Sequence, residues 1–415
     1  MSSRTALLSL LTLVLFTACA NNDSQPADEP VVLSQGLPYK EPTARFPGTE
    51  WPRSTPEAEG LDPVAVGRLR TYLLSRQGDD ENRQGIRTNA FVMIRHGKIV
   101  MEEYARGYTA ESAMLTWSVS KSVTNALVGR AVMTKGLDIN APASSCIPEL
   151  ERKSHQSILL RHIHQMSSGL GFDESYEASP VFSSVIAMLY TRGRSDMAAF
   201  TASLDLIHPA GSYWNYSSGD TNLMMRCLKA FYTEEEYASM PWTELFDPLQ
   251  IRGAVWERDA AGTFVGSSYL YMRPVDLARI GYLYMHDGVW NGRRLLPGGW
   301  VQYSLSVVPA YYNRKTISVS ERSDNPTAYW YRNFVNPGLG IEKPWPDAPV
   351  DAFAALGHWG KGMWVIPSLD MVVVRLGDDR RYACRWAGEK NCEPDVEKAY
   401  SKHHLMKLVT ETVKQ

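Results

Sequence analysis

The pattern of apolar and polar positions predicts strands near both ends of the chain and helices between them. Ala90–Tyr104 (AFVMIRHGKIVMEEY) predicts two strands around a His-Gly turn, and Gly362–Leu376 (GMWVIPSLDMVVVRL) predicts a second hairpin. Apolar residues at helical spacing predict helices at Asp62–Gln77, Ser118–Lys135, Pro274–His286 and Val396–Val413. Residues 137–240 are mostly helical in pattern. This order predicts an α/β fold whose sheet is built from both ends of the chain around a helical insertion.

The first residues have the pattern of an export signal. Arg4 precedes the apolar run Ala6–Phe16, which is too short to cross a bilayer as a helix. The following FTAC resembles a bacterial lipobox, which predicts lipidation of Cys19 and a periplasmic, membrane-anchored protein; plain secretion is the alternative. The polar segment after Cys19 predicts a disordered tether. The predicted organisation is a signal at 1–19, a tether at 20–45, an α/β part at 46–135 and 250–415, and a helical part at 136–249.

Composition narrows the function classes. The 415 residues are 44% apolar and carry a net charge of −2, which gives no electrostatic basis for nucleic-acid binding. The chain contains no HExxH or CxxC motif, and we expect His162 and His164 in LLRHIHQM to lie on a helix near the surface. The sequence thus predicts no metal site and no cofactor. It gives no information on oligomeric state.

The cysteines allow several states in an exported protein. Cys384 and Cys392 flank a short polar stretch and could close a loop. Cys146 and Cys227 could form a disulfide or remain buried thiols, and the sequence leaves these alternatives open.

A serine and a lysine three residues apart stand at the start of an apolar helix, in TWSVSKSVTNALVG. Residues three apart share a helix face, so Ser118 and Lys121 are within hydrogen-bond reach. A serine needs an adjacent base to act as a nucleophile, and burial near a helix N-terminus disfavours the lysine charge. The spacing therefore predicts a Ser118 nucleophile with Lys121 as its base; the alternative is a surface lysine beside an ordinary N-cap serine.

This motif and the segments after it resemble the serine β-lactamase and penicillin-binding-protein superfamily, in particular its class C-like branch of esterases, D-aminopeptidases and 6-aminohexanoate-dimer hydrolases. The similar segments are Ser157–Leu170, Ala210–Leu223 and Gly266–Gly281, followed by Asp287–Trp300. The resemblance covers most of residues 50–380. It implies an antiparallel sheet flanked by helices, with an inserted mostly helical domain and the active site in the cleft between them.

The resemblance implies roles for further residues. Tyr216 matches the family's catalytic tyrosine, and we expect the Lys121 ammonium to shift its phenol toward phenolate. Ser218 stands where class C β-lactamases have Asn, which argues against β-lactam hydrolysis. In GHWG, His358 and Gly360 match the ends of the family's K-T-G or H-x-G triplet.

The same triplet predicts where the oxyanion hole and the substrate pocket lie. The N–H groups of Ser118 and Lys361 would form the oxyanion hole, and the glycine would let substrate lie against the strand. Aromatic side chains would shape the pocket or belong to the core: Tyr213, Trp214, Tyr269 and Trp359.

These residues together predict a serine hydrolase that cleaves a small ester, amide or peptide-like substrate through an acyl-enzyme. A non-catalytic or penicillin-binding sensor of the same fold is the principal alternative. A true β-lactamase or a D-amino-acid peptidase is another. An α/β-hydrolase is disfavoured because the chain has no G-x-S-x-G motif.

Overall fold

The computed structural model describes residues 28–33, 46–74, 81, 85–176, 183–312, 327, 329–335, 342–379 and 400–414. Its helices are α1 (Pro63–Leu74), α2 (Val119–Thr134), α3 (Leu160–His164), α4 (Ser184–Tyr190), α5 (Met197–Ala202), α6 (Ser218–Lys229), α7 (Glu234–Pro241), α8 (Pro274–Met285), α9 (Trp300–Ser304) and α10 (Lys402–Glu411). Its strands are β1 (Thr88–Arg95), β2 (Lys98–Tyr104), β3 (Met114–Leu115), β4 (Val255–Trp256), β5 (Leu270–Met272), β6 (Val289–Trp290), β7 (Arg293–Arg294), β8 (Tyr331–Arg332), β9 (Phe353–Gly357), β10 (Lys361–Ile366) and β11 (Met371–Gly377).

The main sheet has the strand order β2-β1-β11-β10-β9-β8, and the pairs within it are antiparallel. Strands β1 and β2 form the first predicted hairpin, and β10 and β11 form the second. The two ends of the chain meet where β1 pairs with β11, in a register that sets Val92 opposite Val374. The prediction of an antiparallel sheet flanked by helices is confirmed.

Both faces of this sheet are covered, which explains why its strands read as continuous apolar runs. Val92 and Ile94 of β1 face the core shared with α2 and α8, whereas Phe91 and Met93 face the core shared with α1 and α10. Helix α8 lies close to the sheet at Gly281, where a side-chain carbon would come within 3.2 Å of β10 and β11 side chains.

The predicted helices occur with small differences at their ends. Helix α1 begins at Pro63, and α2 begins at Val119 with Ser118 as its N-cap residue. Helix α10 begins at Lys402, because the Ser401 side chain accepts a hydrogen bond from the His404 N–H and caps it there. Residues 75–77 and 396–399 of the predicted helices lie outside the described residues.

Helices α3 to α7 occupy the central region that the sequence predicts to be helical. A disulfide joins Cys146, which precedes α3, to Cys227 on α6. This settles the alternative that the sequence left open. Cys19, Cys384 and Cys392 lie outside the described residues, and the exact domain boundaries stay a prediction.

The expectation that His162 and His164 lie near the surface is wrong, although both are on helix α3 as expected. Both are buried, because α3 packs against α6 and faces α2. His164 hydrogen-bonds Asn125 of α2 and the Tyr303 hydroxyl, each at 3.1 Å. Burial lowers the His164 pKa to about 3, so its ring is neutral.

Residues 28–33, inside the predicted tether, contact the folded domain. The Asp28 carboxylate lies 2.8 Å from His162 Nε2 and 3.1 Å from Arg161 Nη2. The backbone of Val31 exchanges two hydrogen bonds with the Asn140 side chain. In the part of the chain that is described, no helix combines the length and apolar character required to span a membrane.

Candidate active site

The start of α2 presents Ser118 beside Lys121. The Ser118 side chain is half-buried, and the Lys121 side chain is buried with its Nζ 3.1 Å from Ser118 Oγ. Trp117, immediately before the serine, has a left-handed backbone with φ of 51°. Such a conformation is unfavourable for a tryptophan and marks a backbone held in place by its surroundings.

Three oxygen acceptors surround the Lys121 amine. Nζ donates to Ser118 Oγ at 3.1 Å, to Ser218 Oγ at 2.9 Å and to the Ser267 carbonyl at 3.0 Å. It also lies 4.9 Å from the centre of the Tyr216 ring. An ammonium has three N–H donors and no acceptor, so this environment suits the protonated lysine.

Tyr216 reaches the same point from the loop before α6. The loop is held by Asn215, whose N–H donates to the Met166 carbonyl and whose side chain donates to the Phe172 carbonyl, each at 2.8 Å. The Tyr216 phenol is close enough to Ser118 for the serine side chain to lower its pKa slightly. Burial, followed by Tyr331 and Glu174, raises the Tyr216 pKa well above its ordinary value. The expected shift toward phenolate is therefore wrong, and the phenol is neutral.

Ser218 and Glu174 form the far side of the site. The Ser218 N–H donates to Glu174 Oε2 at 2.8 Å, and the Ser218 hydroxyl donates to Oε1 at 2.6 Å. Burial raises the Glu174 pKa against the opposing effects of Lys121 and Ser218. Sequence reasoning missed Glu174, because it lies in an irregular segment, GFDES, whose path cannot be read from periodicity.

The turn between β9 and β10 lies next to Ser118, and the expected substrate contact at Gly360 stays a prediction. A side-chain carbon on Gly357 would collide with the Thr116 carbonyl and lie 3.3 Å from the Ser118 nitrogen. One on Gly360 would collide instead with the buried Arg375–Asp379 ion pair. Gly357, not Gly360, is thus the glycine that allows the strand to approach the serine.

The other residues of this turn also take defined places. Lys361 pairs with Gly357 across the β9–β10 ladder, and its Nζ donates to the Gly377 carbonyl. The His358 ring stacks on Tyr176 at 5.2 Å, and both the His358 and Trp359 rings meet Trp117 edge-on, at 5.8 and 5.6 Å.

Two of the four aromatic side chains that the sequence proposed for the pocket lie beside the site, and two do not. Trp359 and Tyr269 lie within 5.6 and 6.2 Å of the Trp117 ring. Trp214 is buried in the core against Tyr311, and Tyr213 stacks on His208. Among the residues that the structure describes, no group of three or more His, Cys, Asp or Glu side chains could hold a metal ion.

A family model described as Beta-lactamase matches residues 72–381. The chain belongs to the beta-lactamase family. This confirms the superfamily that the Ser118–Lys121 motif and the later segments indicate.

Proteins similar to this chain carry several activities in their names. The 6-aminohexanoate-dimer hydrolase of Paenarthrobacter ureafaciens is 24% identical over 295 residues, which cover 70% of this chain and 72% of that protein. A solved structure described as a putative β-lactamase from Bacteroides dorei is 15% identical with a TM-score of 0.61, covering 86% and 100% of the two chains. EstCE1, described as a hydrolase with promiscuous acyltransferase activity, is 14% identical with a TM-score of 0.58 and the same coverage. At these identities the two structures show the fold alone.

Proposed function

We propose that this member of the beta-lactamase family is a serine hydrolase that cleaves an ester or amide bond through an acyl-enzyme on Ser118. The observation that carries the proposal is that Tyr216, from the loop before α6, interacts with Ser118 beside Lys121 of α2, whose Nζ lies 3.1 Å from Ser118 Oγ. The names of the relatives, an amide-dimer hydrolase and a hydrolase with acyltransferase activity, agree with it.

In the proposed mechanism Ser118 Oγ attacks the substrate carbonyl, and its proton passes to the Lys121–Tyr216 pair. Tyr216, neutral and next to Ser118, is suited to donate a proton to the leaving group. Water then attacks the acyl-enzyme and releases the acid. The Ser118 N–H lies at the N-terminal end of α2, where the helix dipole favours the developing oxyanion.

The position of Gly357 favours His358 over Lys361 as the second oxyanion donor. Gly357 contacts the backbone of Ser118, and the adjoining His358 has its ring against Trp117, the neighbour of the serine. Lys361 lies on the next strand, opposite Gly357. We therefore propose the N–H groups of Ser118 and His358 as the oxyanion hole.

The substrate we propose is a small ester or amide without a required carboxylate. Ser218 in place of Asn, and His in place of the lysine of a K-T-G triplet, remove groups associated with β-lactam hydrolysis. The aromatic rings around Trp117 offer an apolar surface beside the nucleophile. A panel of p-nitrophenyl esters, D-amino-acid anilides and nitrocefin separates an esterase from a D-amino-acid peptidase and a β-lactamase.

Covalent labelling tests the proposed function directly. A fluorophosphonate probe should label the wild-type protein but not the Ser118→Ala variant, and the same variant should lose turnover. Labelling by a penicillin probe without turnover of any substrate would favour the sensor alternative. Equal turnover by wild type and Ser118→Ala would exclude the serine mechanism.

We also propose that the protein is exported and lipid-anchored at Cys19. The disulfide Cys146–Cys227 supports an oxidising compartment, where such bonds persist. Incorporation of a labelled fatty acid into the expressed full chain, with loss in Cys19→Ala, is the expected result. An exported but unlabelled chain would favour plain secretion.

A further inference from the structure

Both groups next to Ser118 that could act as its base hold protons in the resting site. Lys121 is surrounded by three oxygen acceptors that suit its ammonium form, and the phenol of Tyr216 is neutral. Neither form can accept a proton, yet serine is a poor nucleophile without a base. The proposed function therefore requires that one of these groups first lose a proton.

A continuous hydrogen-bonded path leads from Lys121 to a buried carboxylate. Lys121 Nζ donates to Ser218 Oγ at 2.9 Å, and Ser218 Oγ donates to Glu174 Oε1 at 2.6 Å. The second oxygen of Glu174 accepts the Ser218 N–H at 2.8 Å, which fixes the carboxylate. The side chains are buried, with 1%, 0% and 7% exposure for Lys121, Ser218 and Glu174.

We propose that Glu174 takes the surplus proton of Lys121 through Ser218 and so converts the lysine into the base that activates Ser118. A Lys121 N–H proton moves to Ser218 Oγ while the Ser218 hydroxyl proton moves to Glu174 Oε1. The ammonium and carboxylate become an amine and a carboxylic acid, and the net charge is unchanged. The amine lone pair then accepts the Ser118 proton as Oγ forms its bond to the substrate carbonyl carbon.

The surroundings of Glu174 favour the neutral pair, in which Lys121 is an amine and Glu174 is a carboxylic acid. Burial raises the Glu174 pKa, so Glu174 takes up a proton more readily than an exposed carboxylate does. A buried ion pair also carries a desolvation cost that the amine–acid pair avoids. The titratable groups that interact with Glu174 are Lys121, Tyr176, Tyr216, Asp173 and Asp220.

The Glu174→Gln variant tests this inference, which rests on the proposed hydrolase function. Glutamine keeps the length of the side chain and can still accept a hydrogen bond from Ser218, but it cannot take up a proton. We expect kcat/KM for a p-nitrophenyl ester to fall about 10²-fold, mainly in kcat, with the acid limb of the pH–rate profile displaced. Glu174→Asp, which retains a carboxylate, should recover part of the loss.

Three comparisons make the result specific. Asp173→Asn removes an exposed neighbouring charge that raises the Glu174 pKa but keeps the Glu174 carboxylate, so its kcat/KM should stay far above that of Glu174→Gln. Burial raises the Asp220 pKa to about 7, so the Asp220→Asn variant identifies any contribution of this carboxyl group to the acid limb of the pH–rate profile. Ser218→Ala interrupts the path, so Ser218→Ala combined with Glu174→Gln should be no slower than the slower single variant.

The outcomes separate this inference from the proposed function. A Glu174→Gln variant with the wild-type rate and pH profile, alongside an inactive Ser118→Ala variant, would overturn the proton path and leave the hydrolase intact. Equal losses of kcat/KM in Glu174→Gln and Glu174→Asp would also overturn it, because the shape of the Glu174 side chain alone would then explain both losses. An active Ser118→Ala variant would instead remove the hydrolase mechanism itself.

Discussion

At the residue scale, unfavourable backbone conformations cluster around Ser118. Trp117, Tyr269 and Trp359 all have positive φ, and the rings of Tyr269 and Trp359 both pack against that of Trp117 beside the serine. Each such conformation costs about 1–3 kcal/mol and persists only where packing over-determines it. The position of the nucleophile thus depends on the aromatic packing around it as well as on helix α2.

Two glycines of the β9–β10 turn should respond differently to alanine. Gly357→Ala would push the strand away from the Thr116 carbonyl and Ser118, so we expect kcat/KM to fall at least about 10²-fold, the effect of losing an oxyanion donor. Gly360→Ala would disturb the Arg375–Asp379 pair and occupy a φ of 75°, so we expect a lower melting temperature. Ester kinetics and thermal unfolding of both variants check this; an active Gly357→Ala would contradict it.

The phenol of Tyr216 should matter for turnover and little for folding. Tyr216→Phe removes one hydroxyl while keeping the ring, and Lys121→Ala removes the proposed base. We expect turnover to fall by about 10²–10⁴-fold in each. Steady-state kinetics with circular dichroism spectra test this. Near-normal turnover in both variants would refute the proposed proton transfer.

At the element scale, the helical core behind helix α2 contains a buried polar network. Asn125, one turn after Lys121, accepts hydrogen bonds from the Trp300 indole and the Ser304 hydroxyl at 3.2 and 3.0 Å, and from the Tyr284 hydroxyl. Its amide contacts His164 of α3. These bonds fix the rotation of α2 against α3, α8 and α9, and so the direction in which Ser118 points.

Burial of neutral His164 should make the protein less stable in acid. The unfolded chain binds a proton at this histidine below its ordinary pKa of 6.5, but the folded protein does so only near about 3. The free energy of unfolding should therefore fall as the pH decreases from 6.5 toward 3, by about 1.4 kcal/mol per unit.

Urea unfolding at about pH 7 and about pH 5 tests this contribution. The change in the free energy of unfolding between these two pH values should be smaller in His164→Gln than in wild type by about 2 kcal/mol. His208→Gln, a half-buried histidine stacked on Tyr213, serves as the matched control. Parallel pH dependence in wild type and His164→Gln would contradict the prediction.

The sequence predicted elements well where periodicity or turn chemistry was local. The His-Gly turn between β1 and β2 and the start of α2 within one residue of the predicted position are examples. It misjudged His162 and His164, because a polar side chain on a short helix is taken as exposed unless its hydrogen-bond partners are known. Those partners, Asp28 and Asn125, are far away in the chain.

At the scale of the whole molecule, the site is assembled from distant segments, and this limits what the sequence could reveal. Ser118, Lys121 and Tyr216 came from short motifs that resemble the family. Glu174 and Gly357 emerged only from three-dimensional contacts, since neither belongs to a spacing pattern. The phenolate expectation was wrong because the degree of burial that opposes it was not visible in the residues around Tyr216.

The disulfide Cys146–Cys227 should contribute to global stability because it closes a long loop. Its cysteines are 81 residues apart in sequence, and both are buried. We expect the double variant Cys146→Ala/Cys227→Ala to lose about 2–5 kcal/mol in the free energy of unfolding. Urea unfolding measures the loss, and a non-reducing peptide map should show the two cysteines cross-linked. Free thiols at both positions in the native protein would contradict it.

The pairing of β1 with β11 constrains how a newly made chain can fold. Strand β1 lies inside the sheet, yet its partner β11 comes from near the other end of the described chain, with Thr88 opposite Gly377. Such contacts form slowly because a long stretch must be closed before they are made. During synthesis the ribosome releases β11 late, so the main sheet next to helix α2 stays incomplete until then. If the chain were held unfolded for translocation, its folding would therefore be delayed little beyond the wait that the late release of β11 already imposes.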